Sequence, residues 1–525
     1  MDKMESVDRI SELPEFILHN ILSFLDMKES CRAGVLSKKW HATWSSIPVL
    51  DFQPQYFKKG GGSKYEADFY DQNTLISYMG FITNTMQRYS CQKHGIRKFC
   101  LEIPLFNAAF MPLIDTWIGI AVQNKVEELD ITIVVEESSL DYILPEFLFN
   151  ARSLKVLDGD KVVLPNYPTM KLFCLEKLIL TRATIDDDML QRIISNCPLI
   201  ALEFRGCAAL KSISVPYTKK SHKDDVVKDF GSGTPQSNNR TSTLEKFFYL
   251  NYFQCPWPWH MNIAALRNLK TVEITSADIT DDAVFELASG LTVLETLVLN
   301  KCALLKCVKI SSISLRKFTV VGCPMLQKLT IDAPNLTMFQ LYSELNFAPS
   351  ITNFSSELMP ALSIVNVQDC CDGDLFVWVE SPCTEWFIKL QEFLVGTKIF
   401  KVIEMTLSGL ESGYQIEVDE DRLRRINIGA LYKVREIKLY DTCNWELDES
   451  SISAFLDGLF LTCRPDVLVI PTGFHNNIVE MILIILKEKE ECWKDPLKSV
   501  EVEGFESPNL LSYPYELEIK LKLSW

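Results

Sequence analysis

Much of what an enzyme or a nucleic-acid binder needs is missing from this sequence. It has no C-x-x-C pair, no H-E-x-x-H, no P-loop, no G-x-S-x-G and no dinucleotide fingerprint. Its six histidines (His19, His41, His94, His222, His260 and His475) do not cluster with its 16 cysteines, so no zinc site is expected. Basic charge is also short: 53 Lys+Arg face 69 Asp+Glu, for a net charge of -16. That balance argues against gripping DNA or RNA as the main task. No apolar run approaches the roughly 20 residues of a membrane span, since the longest, Ile478–Leu486, is broken by Glu480. The N-terminus is acidic where a secretory leader would be basic, so an intracellular chain, nuclear or cytoplasmic, with reduced thiols is expected.

What is present is a repeat. The 525 residues are enough for three or four domains or for one elongated array, and 47% hydrophobic against 23% charged is a folded composition. From Ile96 onward an apolar triplet returns, spaced L-x-x-L-x-L. Leu175-Leu178-Leu180, Leu199-Leu202-Phe204, Leu269-Val272-Ile274, Leu294-Leu297-Leu299 and Leu315-Phe318-Val320 are clear cases. Cys207, Cys302, Cys323 and Cys370 follow four of the triplets at the eighth position, as a small buried residue inside a tight turn. Triplet starts at 244, 269 and 294 lie 25 apart, which leaves room for a short helix. Starts at 294, 305, 315, 326 and 336 lie 10 or 11 apart, which leaves none. Val402, Val434, Pro465 and Leu497 begin triplets 31 or 32 apart, with helices expected at Ser450–Leu461 and Phe474–Glu488. The fold class expected is α/β, an N-terminal three-helix module followed by an elongated, irregular repeat solenoid. It is expected to be lined by helices at both ends with a thinner, strand-dominated middle, its roughly eighteen stacked strands spanning an arc of about 85 Å.

Other features read as structural. Asp186-Asp187-Asp188 and Asp281-Asp282 stand where helices begin, where acids satisfy free N–H groups, and are not expected to be a catalytic pair. Tyr217–Ser242 is rich in Gly, Ser, Asn and mixed charge and is expected to be a surface insertion, with the strands at Leu210 and Leu244 stacking across it. Two short basic clusters, Lys219–Lys223 and Arg422–Arg425, are flanked by acids and read as solvated faces.

The N-terminal segment carries the sharpest signal. Pro14 suits a first helical turn, and Leu18, Ile21, Leu22 and Leu25 form one apolar stripe. Lys28–Leu36 and Lys38–Ile47 follow as two further helices, with Val35-Leu36 and with Trp40 and Trp44. A partner surface, a small bundle packed on the solenoid, and a DNA-reading helix-turn-helix are the three readings.

Ile10-Ser11-x-Leu13-Pro14, Ile21-Leu22-Ser23-x-Leu25 and Val35-Leu36-Ser37-Lys38-Lys39-Trp40 with Trp44 resemble the F-box of the plant F-box/leucine-rich-repeat proteins. Trp117-Ile118-x-x-Ala121-Val122 before Val126–Ile131, Leu144-Pro145-x-x-Leu148-Phe149 and Asn196-Cys197-Pro198-Leu199 resemble that family's repeats. The resemblance implies an F-box over 7–52, a linker and connecting helix over 53–95, leucine-rich repeats over 96–370 and a C-terminal repeat-like region over 371–525. It implies a non-catalytic substrate-recognition subunit of an SCF (cullin-RING) ubiquitin ligase. A Skp-family adaptor would sit on Leu13, Pro14, Ile17, Ile21, Leu22, Leu25, Val35, Leu36, Trp40 and Trp44, and a target protein on the solenoid. No cofactor, metal, nucleic acid or membrane is expected. A hormone co-receptor and a repeat scaffold without ligase assembly are the alternatives.

Overall fold

In an L-x-x-L-x-L strand successive side chains point to opposite faces, so the apolar positions line one side and the variable positions the other. The computed structural model follows that alternation. It describes residues 13–57, 72–91, 95–104, 108–134, 141–207, 212–213, 243–251, 260–261, 266–343, 361–367, 372–379, 382–407, 416–426, 431–441, 449–471, 476–489, 497–506 and 518–525. The expected insertion Tyr217–Ser242, the Lys219–Lys223 cluster, the glycines Gly60–Gly62 and Cys370 lie outside the described residues. The chain divides into two units, Met1–Leu269 and Lys270–Trp525.

In the first unit three short helices lead into a parallel sheet. The strand Val49–Phe52 pairs with Lys98–Pro104, and Glu128–Val134, Val156–Asp160, Lys177–Thr181, Ala201–Arg205 and Lys246–Leu250 follow in order. Leu50, Phe99, Leu129, Leu157, Leu178, Leu202 and Phe247 stack as one fully buried ladder. Helices Gln72–Cys91, Met111–Gln123 and Asp187–Asn196 supply other apolar side chains, among them Tyr78, Ile82, Trp117, Ile118, Leu190 and Ile193. The stretch 53–95 therefore holds a full repeat helix: Tyr78 donates from its hydroxyl to the Glu102 carbonyl at 2.8 Å. Across the insertion the register differs from expectation. Ala201–Arg205 pairs directly with Lys246–Leu250, while Ser212–Ile213 pairs with His260–Met261 in a separate two-stranded sheet. The short strand Ser212–Ile213, within the triplet expected to start at Leu210, thus belongs to another face of the coil.

In the second unit the parallel sheet runs Thr271–Thr275, Thr296–Asn300, Lys317–Val321, Met338–Ser343, Asp372–Val379, Phe400–Leu407, Tyr432–Asp441 and Cys463–Pro471. The closely spaced triplets alternate between two sheets. Those starting at 294, 315 and 336 build this sheet, and those at 305 and 326 build a second one, Cys307–Ser311 with Lys328–Ala333 and Ala361–Val367. Neither stack contains all the triplets, so the single long ladder expected from the sequence is replaced by two. The physical reason is the spacing: ten residues carry a strand halfway around a coil, and 21 complete it. The triplet at Leu497 also departs from expectation. Ser499–Glu506 pairs antiparallel with Glu518–Ser524, which itself pairs antiparallel with Cys463–Pro471. Helices Glu449–Thr462 and Asn476–Glu488 form where their apolar periodicity places them.

After the strand, each of six coils turns through a residue with positive φ. Lys161, Arg182, Gly206, Ser276, Lys301 and Gly322 hold these positions. Each donates its N–H to the strand of the next coil, as Lys161 to Thr181 (2.9 Å), Ser276 to Asn300 (2.7 Å) and Lys301 to Val321 (2.7 Å). The cysteines sit just beyond. The Cys207 thiol donates to the Leu180 carbonyl at 3.1 Å, and the Cys302 thiol to that of Asn300 at 3.5 Å. Burial pushes the Cys197 and Cys463 thiols up to about 12, out of the range of a reactive thiolate.

The paired acids do what a helix start asks. Asp186 caps Asp187–Asn196 by accepting from the N–H groups of Asp188 and Met189. Thr280 caps Asp281–Gly290, which frees the Asp281 carboxylate to reach into the next coil. There it accepts from the N–H groups of Lys306 and Cys307, both at 2.9 Å.

Candidate adaptor-binding surface

Fewer than fifty residues cannot build a large core, and the N-terminal module economises with two tryptophans. The helices are α1 (Glu15–Ser23), α2 (Met27–Ala33) and α3 (Lys38–Ser45). Pro14 opens α1, where its carbonyl accepts from Ile17 and Leu18. Asp26 caps α2 through a 2.7 Å bond from the Glu29 N–H, and Ser37 caps α3 through a 3.2 Å bond from the Trp40 N–H. Leu18, Leu22, Trp40, Trp44 and Ile47 close the core, with Leu13, Ile21, Cys31 and Ala33 partly buried against it. The Lys39 ammonium donates to the Leu13 carbonyl at 2.7 Å and ties the leading segment to α3.

This core is joined to the first repeat. The Arg88 guanidinium, from helix Gln72–Cys91, lies 3.5 Å from the centroid of the Trp44 ring, a cation–π contact. Tyr89 donates from its hydroxyl to the Ile47 carbonyl at 2.7 Å. Burial lowers the Arg88 pKa and raises that of Tyr89, as expected for groups held between two packed elements. Gly34 lies against Trp44: a Cβ there would come within 3.1 Å of the Cys31 carbonyl oxygen.

The structure divides the ten residues singled out from the sequence. Leu22, Trp40 and Trp44 are buried and hold the module together. Leu13, Ile17 and Ile21 are half-buried. Pro14, Leu25 (42% exposed), Val35 (85%) and Leu36 (74%) face solvent. Two further aromatic residues, Phe16 (64%) and Phe24 (88%), join the exposed set. They escape a search for one helical stripe because they lie off the Leu18–Leu22 face. The signal that finds them is their burial-prone side chains at positions with nothing to pack on. Phe24-Leu25 and Val35-Leu36 lie at the two ends of α2, whose seven residues separate them by about 10 Å. A small domain rarely leaves so many large apolar groups in water unless a partner covers them. No group of three or more His, Cys, Asp or Glu among the described residues is placed to hold a metal. No described helix is long and apolar enough to cross a membrane.

Comparison with known proteins matches residues 10–52 to the F-box domain. Residues 86–224 and 237–370, more than half of the chain, match the At1g61320/AtMIF1 LRR domain. Among individual proteins of Arabidopsis thaliana, the chain is 30% identical to an F-box/LRR-repeat protein, At3g18150, over 212 residues, 40% of each chain. It is 32% identical to an F-box protein, At1g49610, over 38% of this chain and 44% of the relative. It is 27% identical to an FBD-associated F-box protein, At5g22730, over 38% and 39%. The chain thus matches about two-fifths of the length of these curated relatives. With F-box helices at residues 10–52 and a repeat pattern covering most of what precedes residue 370, the chain belongs to the F-box/leucine-rich-repeat family.

Proposed function

We propose that this chain is the substrate-recognition subunit of an SCF (cullin-RING) ubiquitin ligase, a non-catalytic subunit working in the nucleus or cytoplasm. The observation that carries the reading is the exposed apolar set on the F-box helices. Pro14, Phe16, Phe24, Leu25, Val35 and Leu36 would meet a Skp-family adaptor, flanked by Leu13, Ile17 and Ile21. Leu22, Trp40 and Trp44 would act from beneath by fixing the helices that present them. In this reading 7–52 docks the adaptor, and the repeats of 96–370 with the region 371–525 offer the surface for a target protein. The chemistry of ubiquitin transfer stays with other subunits. The chain contributes proximity, because holding a target beside a charged conjugating enzyme raises its effective concentration. The Arg88–Trp44 and Tyr89–Ile47 contacts support this role, since a target is presented at a fixed distance only if adaptor and repeats are rigidly joined.

The test is capture of a Skp-type adaptor by the full chain. Replacing Phe24, Val35 and Leu36 together with Ala should weaken capture by about 2 kcal/mol or more, roughly thirtyfold, because exposed anchors of this kind carry most of an interface's energy. The melting temperature should stay at the parent value. Adaptor captured equally well by parent and triple variant would show that the interface lies elsewhere.

A further inference from the structure

The chain is acidic as a whole, yet one stretch of the second unit reverses the sign. Between residues 301 and 331 there are six basic residues, Lys301, Lys306, Lys309, Arg316, Lys317 and Lys328, and no Asp or Glu. All six are exposed. None makes an ion pair among the described residues, whereas Lys155, Lys177, Arg182 and Lys438 elsewhere are each matched to a carboxylate. The two-sheet coil sorts them. Arg316 and Lys317 precede or open a strand of the main sheet, and Lys301 follows one. Lys309 and Lys328 lie in strands of the second sheet, on two successive coils, and Lys306 immediately precedes the first of these strands. Lys328 donates its N–H to the Lys306 carbonyl at 2.9 Å, and Lys309 stands in register with Thr330, two positions along from Lys328. Three lysines therefore stand on or just before neighbouring strands whose backbones run about 4.8 Å apart.

Among the described residues no carboxylate forms an ion pair with them, although Asp281 stands beside Lys306. The Asp281 carboxylate is engaged by the backbone N–H groups of Lys306 and Cys307. Asp332 stands in register with Ser311, at the far end of the strand pair. Apolar groups flank the lysines. Leu304 (46% exposed) and Met325 (49%) occupy equivalent positions on the two coils, and Ile313 (73%) marks the turn beyond. Like charges on adjacent strands repel, so this face is stabilised by whatever negative charge covers it.

We propose that this second-sheet face docks a short acidic polypeptide segment, with Asp or Glu opposite Lys306, Lys309 and Lys328 and apolar residues against Leu304 and Met325. Charge complementarity selects the sign of the partner, and the apolar flank selects a polypeptide over a bare polyanion. Lysines, as compact mobile point charges, suit a run of carboxylates; no guanidinium fork here matches the geometry of a single phosphate. Nucleic acid fits less well, since a patch three charges wide would hold a long polyanion against the repulsion of a chain with net charge -16. The proposal goes beyond the adaptor reading and stands or falls separately from it, since the adaptor set and this patch share no residue.

The test measures binding to the full chain by fluorescence anisotropy, using three probes. These are a labelled ten-residue peptide in which Glu and Asp alternate with Leu and Gly, an oligothymidylate of equal charge, and vesicles of phosphatidylcholine with phosphatidylserine. The peptide should bind best. Its binding should fade between about 0.1 M and about 1 M salt, as the Debye length shortens from about 10 to about 3 Å. The K306E/K309E/K328E variant should bind the peptide about tenfold more weakly or worse, and K306Q/K309Q/K328Q should fall between. A control with three exposed lysines reversed elsewhere, K125E/K171E/K398E, has the same net charge and should bind as the parent does. Equal loss in the control, no peptide binding at low salt, or tighter binding of the oligonucleotide or the vesicles would each overturn the proposal.

Discussion

The coil around Leu175–Cys207 and the coils of 294–343 use one apolar triplet for two different constructions. In the first, Lys177–Thr181 and Ala201–Arg205 line the main sheet, and helix Asp187–Asn196 with Met189, Leu190, Ile193 and Ile194 fills the back. In the second there is no helix, and strands Cys307–Ser311 and Lys328–Ala333 close the back with Val308, Ile310, Leu329 and Ile331. The lesson is that an L-x-x-L-x-L triplet specifies a strand with one buried face but not which sheet it joins. The chain length to the next triplet decides that. The largest effect should come from testing whether the second sheet is as much core as the first. Phe318, stacked on Phe339 with centroids 5.7 Å apart, and Leu329, in the second sheet, are both fully buried. Phe318→Ala should cost about 3–5 kcal/mol and Leu329→Ala about 2–5 kcal/mol by urea unfolding. A loss under about 1 kcal/mol for Leu329→Ala would mean that the sheet-backed coils lean on one sheet only.

The boundary between the constructions gives the next effect. Where a helix meets the first strand of the second sheet, that strand pairs on one side with Lys328–Ala333, and Asp281 takes the N–H groups of Lys306 and Cys307. Asp186, in the helix-backed coil, only caps its own helix. Asp281→Ala should therefore cost about 1–3 kcal/mol, because two donors lose a charged acceptor. Asp186→Ala should cost about 1 kcal/mol. Amide exchange at Lys306 and Cys307 distinguishes the cases, and it should speed up in the Asp281 variant alone.

Charge contrasts the regions in the opposite sense. On the variable face of the first unit's sheet, Asp130 and Asp158 stand directly opposite on paired strands, and Asp51 and Glu203 lie at equivalent heights. Glu203 is matched by Lys177 and Arg205, both at 2.7 Å. Among the described residues Asp158 has no such ion-pair partner; burial, then the neighbouring Asp130, push its carboxyl up to about 6. The folded chain thus holds this proton more tightly than the unfolded chain, whose carboxyl titrates near 3.9. Its contribution to stability is fully present below about pH 4 and is lost as pH rises through about 6. Asp158→Asn should remove that component and raise stability at pH 7 by about 1 kcal/mol, a figure discounted for partial solvent screening. A parent and a variant with parallel stability profiles between pH 4 and 7 would show the carboxyl to be fully solvated.

Legibility followed the physics of each element. The strands could be read because a half-buried strand writes its alternation into four or five residues, as in Leu294–Leu299. The F-box helices could be read because Asp26 and Ser37 are cap residues standing just before helical patterns. What the sequence hid was long-range. Trp40 and Trp44 look like interface anchors in one dimension, and only the packing of three helices shows them to be core. The split at 305 and 326 depends on how far ten residues carry the chain around a coil. The basic face leaves no run in the sequence, because its lysines come singly, at 306, 309 and 328. The same limit hides the turns that follow the strands, since four of those six turn residues are Lys, Arg or Ser, types with no preference for positive φ.

Those turns supply the smallest effect. Lys301 and Gly322 occupy the same position in successive coils, with φ of 51° and 53°. Both donate an N–H to the next strand, at 2.7 and 2.8 Å, so the turn geometry is maintained whichever residue sits there. A residue with a Cβ is strained in this region by about 1 kcal/mol relative to glycine. Glycine offsets part of that by adding freedom to the unfolded chain, about 0.5–1 kcal/mol. Lys301→Gly should therefore be close to neutral, shifting stability by less than about 0.5 kcal/mol. Gly322→Ala meets no close neighbour, since its Cβ would approach only the Lys301 Cγ at 3.5 Å, but it takes on the strain of a positive φ and should cost about 1 kcal/mol. If Gly322→Ala instead costs more than about 2 kcal/mol, the two turns are not equivalent, and the coil at Gly322 is held more tightly than its hydrogen bond indicates.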